Sequence, residues 1–232
     1  MHTLSLESRV AFDPHTITLL TSRCTNVNIL SLPIRRAWNR PGEDTAILRA
    51  LGRIPHLTHL DLTLDASDRT LLSSPETKLA PSDPSFDAFD NQPHPGGFFS
   101  GKAVRNGHIR DAFINSAIDA ALAKAVFATI LSGAPESRIS SLRYLSIKAE
   151  GGRYFGISTI SGGIDEVVRE VGKEWVVQRS GEGEGIEVRC VGEINEYFEP
   201  GDELASDIGH VFRSIWPGEG DWWDEWHAFP LV

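Results

Sequence analysis

Histidine set beside carboxylate is an arrangement that serves both proton transfer and metal ligation, and this chain has it in two places. His56 and His59 stand beside Asp61 and Asp65, and residues 221–227 read Asp-Trp-Trp-Asp-Glu-Trp-His. Neither has the His-Glu-x-x-His spacing that sets two imidazoles on one helical face with a base between them. Asp224 and His227 have the types to share a metal ion, but the tryptophans around them are expected to pack while the acids stay in water. The run Ser180-Gly181-Glu182-Gly183-Glu184-Gly185 is rich in glycine, yet it lacks a lysine and its glutamates repel phosphate. A flexible turn before a strand is the expectation there. No Gly-x-Ser-x-Gly segment occurs, and Cys24 and Cys190 have no Cys-x-x-Cys spacing and no recognisable histidine partner. Both are expected to be reduced and mostly buried. The residues thus predict no catalytic, cofactor-binding or metal-binding group, and a protein that is not an enzyme. The rival from another class is a small-ligand protein or enzyme with a pocket beneath residues 66–110, near His59, Asp61 or His227.

Charge narrows the partners. The 232 residues carry a formal net charge of -10, which opposes binding to nucleic acid, where clustered lysine and arginine are needed. Between Glu182 and Asp207 nine carboxylates face a single base, Arg189, so a protein partner with a basic surface is favoured. There is no signal peptide, no Asn-x-Ser/Thr acceptor and no apolar run long enough to span a bilayer. The expectation is a cytoplasmic or nuclear protein that engages neither membrane nor nucleic acid.

The elements that would position a binding surface follow from one apolar spacing, x0/x3/x5/x7. It occurs at Val27-Leu30-Leu32-Ile34, Leu57-Leu60-Leu62-Leu64 and Leu142-Leu145-Ile147-Ala149. Further copies open the chain at Met1-Leu4-Leu6-Ser8 and, weakened, recur at Gly183-Ile186-Val188-Cys190. Repetition of Leu-x-x-Leu-x-Leu, mostly after a helical segment, predicts leucine-rich repeats. The expected fold is α/β, an irregular leucine-rich-repeat-like solenoid with parallel strands on the concave face and helices on the convex face. Strand alternation turns the leucines inward and the residues between them outward. The expected partner-binding set is Arg35, His59, Asp61, Thr63, Asp65, Tyr144, Ser146, Lys148, Glu150, Glu187 and Arg189, flanked by Thr3, Ser5, Glu7, Ser31, Pro33 and Val191.

One domain, 1–232, is expected. Asp13-Pro14 starts its first helix, and Ile47, Leu48, Leu51 and Ile54 stripe the second. Residues 66–110 are rich in Ser, Pro, Asp, Gly and Asn and predict a loop or disordered insertion, whose Phe86, Phe89, Phe98 and Phe99 are expected to anchor it to the body, with a binding feature of their own as the alternative. Helices are predicted over 111–132, ended by Gly133, over 164–178 and over 202–216. The aromatic stretch within 202–232 is expected to close the core as a C-terminal cap.

The segment Val211-Phe212-Arg213-Ser214-Ile215-Trp216-Pro217, followed by Trp222-Trp223-Asp224-Glu225-Trp226-His227-Ala228-Phe229-Pro230-Leu231, resembles the terminus of fungal F-box and leucine-rich-repeat-like proteins. The helix at 111–132 followed by Ser141-Leu142-Arg143-Tyr144-Leu145-Ser146-Ile147 is similar to that group as well. The resemblance implies a substrate receptor, in which the repeat region holds a target while an F-box recruits a ubiquitin-ligase core. No F-box-like segment precedes Leu4. The target-holding half is therefore expected, without docking of a ligase adaptor. The uncapped first strand also suits a truncated relative without retained activity.

Overall fold

The computed structural model describes residues 2–6, 12–36, 38, 42–67, 79–99, 102–151, 162–180, 185–191 and 206–231. Its elements are β1 (Thr3–Ser5), α1 (Pro14–Arg23), β2 (Ile29–Arg35), α2 (Glu43–Leu51), β3 (His59–Asp65), β4 (Pro93–Phe99), β5 (Lys102–Arg105), α3 (Asn106–Ser116), α4 (Ala120–Ser132), β6 (Tyr144–Glu150), α5 (Gly162–Val171), β7 (Glu174–Arg179), β8 (Ile186–Val191) and α6 (Ser206–Ile215). A mostly parallel sheet runs in the order β1-β2-β3-β6-β7-β8, and β4 and β5 form a separate hairpin.

The leucine spacing sets the register of this sheet. Leu4, Leu30, Leu60 and Leu145 are aligned across four parallel strands, and Leu32, Leu62 and Ile147 form the next row. Alternation buries every second residue, so Leu30, Leu32, Ile34, Leu60, Leu62 and Leu64 are all inside. A fully buried aliphatic side chain of this kind contributes about 2 kcal/mol. The helices α1, α2 and α4 cover them, adding Ile17, Ile47, Leu48, Leu51, Leu122, Val126, Phe127 and Ile130 to one core. Asp13 caps α1, its carboxylate accepting from Thr16 N–H at 2.7 Å, and Pro14 occupies the first helical position. Where α2 and α4 end, Gly52 and Gly133 let their backbones touch. A Cβ on Gly52 would lie 1.9 Å from the Ile130 carbonyl oxygen, and one on Gly133 would lie 2.1 Å from that of Arg49.

The structure corrects five expectations. The strands are not parallel throughout: β7 and β8 run antiparallel to β6 and to each other. Residues 174–178, expected in a helix over 164–178, belong to β7. The helix stops at Val171 because Gly172 follows it, and Trp175 and Val177 then alternate with Glu174, Val176 and Gln178. Trp175 ties β7 to the junction between α3 and α4 through its indole N–H, which donates to Ile118 C=O at 2.6 Å. The weakened fifth spacing is therefore not another parallel unit. Ile186 pairs with Arg179 and is exposed, and Gly183 lies outside the described residues.

The helix expected over 111–132 is two helices, α3 and α4, set at 66°. Ala117 is extended, and Asp119 restarts the helix by accepting from Leu122 N–H at 2.7 Å. The insertion at 66–110 is not simply loop. Within it the hairpin of β4 and β5 leads directly into α3. Phe86 is buried, edge-on to His108 at 5.1 Å, and the guanidinium of Arg110 pairs with Asp90. Phe98 and Phe99 lie in β4, and Phe98 pairs with Ala103. Proline and glycine hid this hairpin from the sequence, because it stands apart from the main sheet, joined beyond its two strands by the Leu79–Ala103 bridge, where a lost ladder bond is tolerated.

A second core stands beside the first. Val104 of β5, Ile109 and Phe113 of α3, Val167, Val168 and Val171 of α5, Val211 and Phe212 of α6, and Trp216 and Trp222 pack together. The aromatic tail therefore contributes mainly to this second core, with Ala228 and Leu231 also reaching the first. Arg36 joins the two, buried after β2 and donating to Ala117 C=O at 2.7 Å and Phe229 C=O at 3.4 Å. Glu7 and Ser8 lie outside the described residues, as do Gly181–Glu184 and Leu204.

Candidate interaction face

With the leucines turned to α1, α2 and α4, the alternate residues of the same strands form the opposite face of the sheet. In-register pairing turns them into rows. His59, Tyr144, Gln178 and Glu187 make one; Ser31, Asp61, Ser146, Val176 and Arg189 make the next. Pro33, Thr63 and Lys148 follow, then Arg35, Asp65 and Glu150. All eleven predicted partner-binding residues thus lie on one face. Glu187 and Arg189 reach it along an antiparallel strand, not a fifth parallel unit.

Within the first row the rings of His59 and Tyr144 lie 5.5 Å apart and tilted by 31°. Thr58 Oγ1 and His59 Nδ1 are 2.9 Å apart, which orients the imidazole. In the second row Ser146 is buried, and its hydroxyl donates to Glu174 Oε1 at 2.6 Å. Asp61 is half-buried beside this pair. Burial first, and then the Glu174 carboxylate, raise its pKa, while His59 and Lys148 pull the other way. A carboxylate held up in this manner gains from an added cation. Lys148 Nζ meets Glu150 Oε1 at 2.6 Å, with both side chains open to water. Asp65 accepts from Ser67 N–H at 3.0 Å.

Sequence reasoning missed Glu174 and Gln178 on this face, and the buried Val176 between them, because it placed them in a helix. The break at Gly172, followed by the β-branched and aromatic run Trp175-Val176-Val177, was the signal available. Cys24 is half-buried, whereas Cys190 is exposed on β8 and not buried as expected.

The proton-transfer and metal candidates are dispersed. His59 and Asp61 belong to β3, and His227 stacks on Phe229 at 6.0 Å in the tail. Among the described residues no group of three or more His, Cys, Asp or Glu side chains is placed to hold a metal ion. No single helix there is long and apolar enough to cross a membrane, although the bent pair α3 and α4 meets that test by length and composition. Comparison with known protein families, with curated proteins and with solved structures finds no match to this chain.

Proposed function

We propose that this chain is a non-enzymatic protein-interaction module that holds a partner across the polar face of β2, β3 and β6, extended by β7 and β8. The four parallel strands with α1, α2 and α4 then act as an abbreviated leucine-rich-repeat-like arc. One observation carries this reading: matched register brings His59 to Tyr144, Asp61 to Ser146 and Thr63 to Lys148. The result is an ordered face of ring, hydroxyl and charge, closed at Ser146 and Val176 and open to water at Lys148, Glu150, Gln178, Glu187 and Arg189, the mixture that suits specific protein recognition. Carboxylates outnumber bases on it, so the partner presents lysine or arginine. The resemblance to F-box proteins extends the reading to the target-holding part of a ubiquitin-ligase receptor, working in the cytosol or nucleus.

The test is affinity purification of the tagged wild type and of the triple variant Asp61→Lys, Asp65→Lys, Lys148→Glu, followed by mass spectrometry. The variant is expected to lose the specific partner while its circular-dichroism melting curve is retained. Recovery of the same partner by the folded variant would refute the assignment of this face. Co-purification of ligase adaptor subunits with the wild type would support the receptor role, and their absence alongside a recovered partner would remove it.

A further inference from the structure

β8 ends the sheet among the described residues, and every residue in it except Val188 is exposed, Ile186 at 42% and Val191 at 36%. An open edge presents N–H and C=O groups that seek another strand. The pairing with β7 fixes which groups these are. Ser180 N–H donates to Gly185 C=O at 2.9 Å, and the antiparallel ladder alternates from that pair onward. Glu187, Arg189 and Val191 therefore turn their backbone polar groups toward β7. Ile186, Val188 and Cys190 turn theirs outward.

We propose that this edge takes a second copy of the chain, β8 against β8 and antiparallel, with Val188 opposite its own counterpart on a two-fold axis. In that register Ile186 and Cys190 exchange hydrogen bonds on either side of the axis. Glu187 then lies opposite Arg189 twice, at the non-hydrogen-bonded positions where Cα atoms approach to about 4.5 Å. Charge selects this register over its neighbours. Sliding the copy by two residues either way keeps the outward groups matched, but sets Glu187 against Glu187 or Arg189 against Arg189.

The apolar side agrees. Val188 already packs on the first core, and α4 lies over β7 and β8. An axis perpendicular to the sheet keeps the leucine sides of both copies on one face, so exposed Ile186 meets Cys190 of the copy there. The two polar faces then form one surface, with Glu187 and Arg189 at its centre.

Sedimentation velocity of the full chain over a concentration series tests this, with single and double charge variants. The wild type should move from its 25.5 kDa monomer to twice that mass as concentration rises. Glu187→Arg and Arg189→Glu alone should each weaken association by about tenfold or more, because each turns two attractive pairs into repulsive ones. The double variant Glu187→Arg, Arg189→Glu should recover it, and a mixture of the two single variants should form the heterodimer. Hydrogen exchange should slow at the Ile186, Val188 and Cys190 amides only when the dimer forms. A wild type that stays monomeric, or a dimer indifferent to both single variants, overturns the proposal. So does protection of those three amides in the dilute monomer, which would mean the chain covers its own edge.

Discussion

Among the described residues, Arg36 and Asp44 are the side chains whose ionisation the fold perturbs most. Burial lowers the Arg36 guanidinium to about 10, with Asp44 and Asp119 working against that shift. Burial likewise raises Asp44 from 3.8 to about 6, opposed by Arg36 and reinforced by Glu43. The folded chain therefore binds a proton at Asp44 that the unfolded chain has already released between those pH values. Stability from this group is fully present below about pH 4 and falls as pH rises through about 6, by on the order of 2–3 kcal/mol. Thermal melts from pH 4 to pH 7.5 should show that slope in the wild type. Asp44→Asn should flatten it; an unchanged slope would place the titration elsewhere. Nothing in the sequence marks these residues. Arg36 follows a strand as any surface arginine would, and its burial comes from Ala117 and Phe229, far away along the chain.

At the scale of elements, Asp119 has two jobs. Its Oδ1 accepts from Leu122 N–H and begins α4, while its Oδ2 accepts from Ala228 N–H at 2.9 Å and holds the tail. Asp119→Ala should cost about 2 kcal/mol, more than a cap alone, because a backbone donor in the tail also loses its acceptor. Urea unfolding checks the magnitude. Limited proteolysis checks the mechanism, since cleavage near Ala228 should quicken in the variant, and a variant cut no faster than wild type would deny the tail contact. The strands of the leucine units were legible because Leu30, Leu60 and Leu145 repeat a local pattern that burial enforces. The turn from α5 to β7 was not, because Val167, Val168, Val171, Trp175 and Val176 fit a helical stripe as well as a helix followed by a strand. The α3–α4 break was hidden for the opposite reason. Ala117 and Ile118 continue the apolar face, and only the cap at Asp119 shows that a new helix begins.

Over the whole molecule, the two cores share Arg36, Asp119 and the tail, and the sharp bend between α3 and α4 carries the chain from one core to the other. The second core could not be read from the sequence, since it joins Val104 and Phe113 to Trp216 and Trp222 across a separation that no local pattern spans. The polar face was legible by alternation; its extension through Glu174 and Gln178 was not. Shared residues of this kind couple unfolding. Tryptophan fluorescence, which reports mainly the second core, and far-ultraviolet circular dichroism, which reports the whole, should trace one coincident transition. Trp216→Ala should lower it by about 3–5 kcal/mol, with both probes still moving together. Two separated midpoints would show that the cores unfold independently.

The matched leucine register also dictates an order of assembly. Leu30 and Leu60 meet across a short stretch of chain, but Leu60 meets Leu145 only after the hairpin, α3 and α4 have intervened. Closing that nearly threefold longer loop costs about 1 kcal/mol more in chain entropy. The first three strands with α1 and α2 are thus free to form from local contacts as the chain emerges during synthesis. β6 must wait, and until it arrives β3 is an open edge in the growing protein, the moment at which this fold is most exposed to a wrong neighbour.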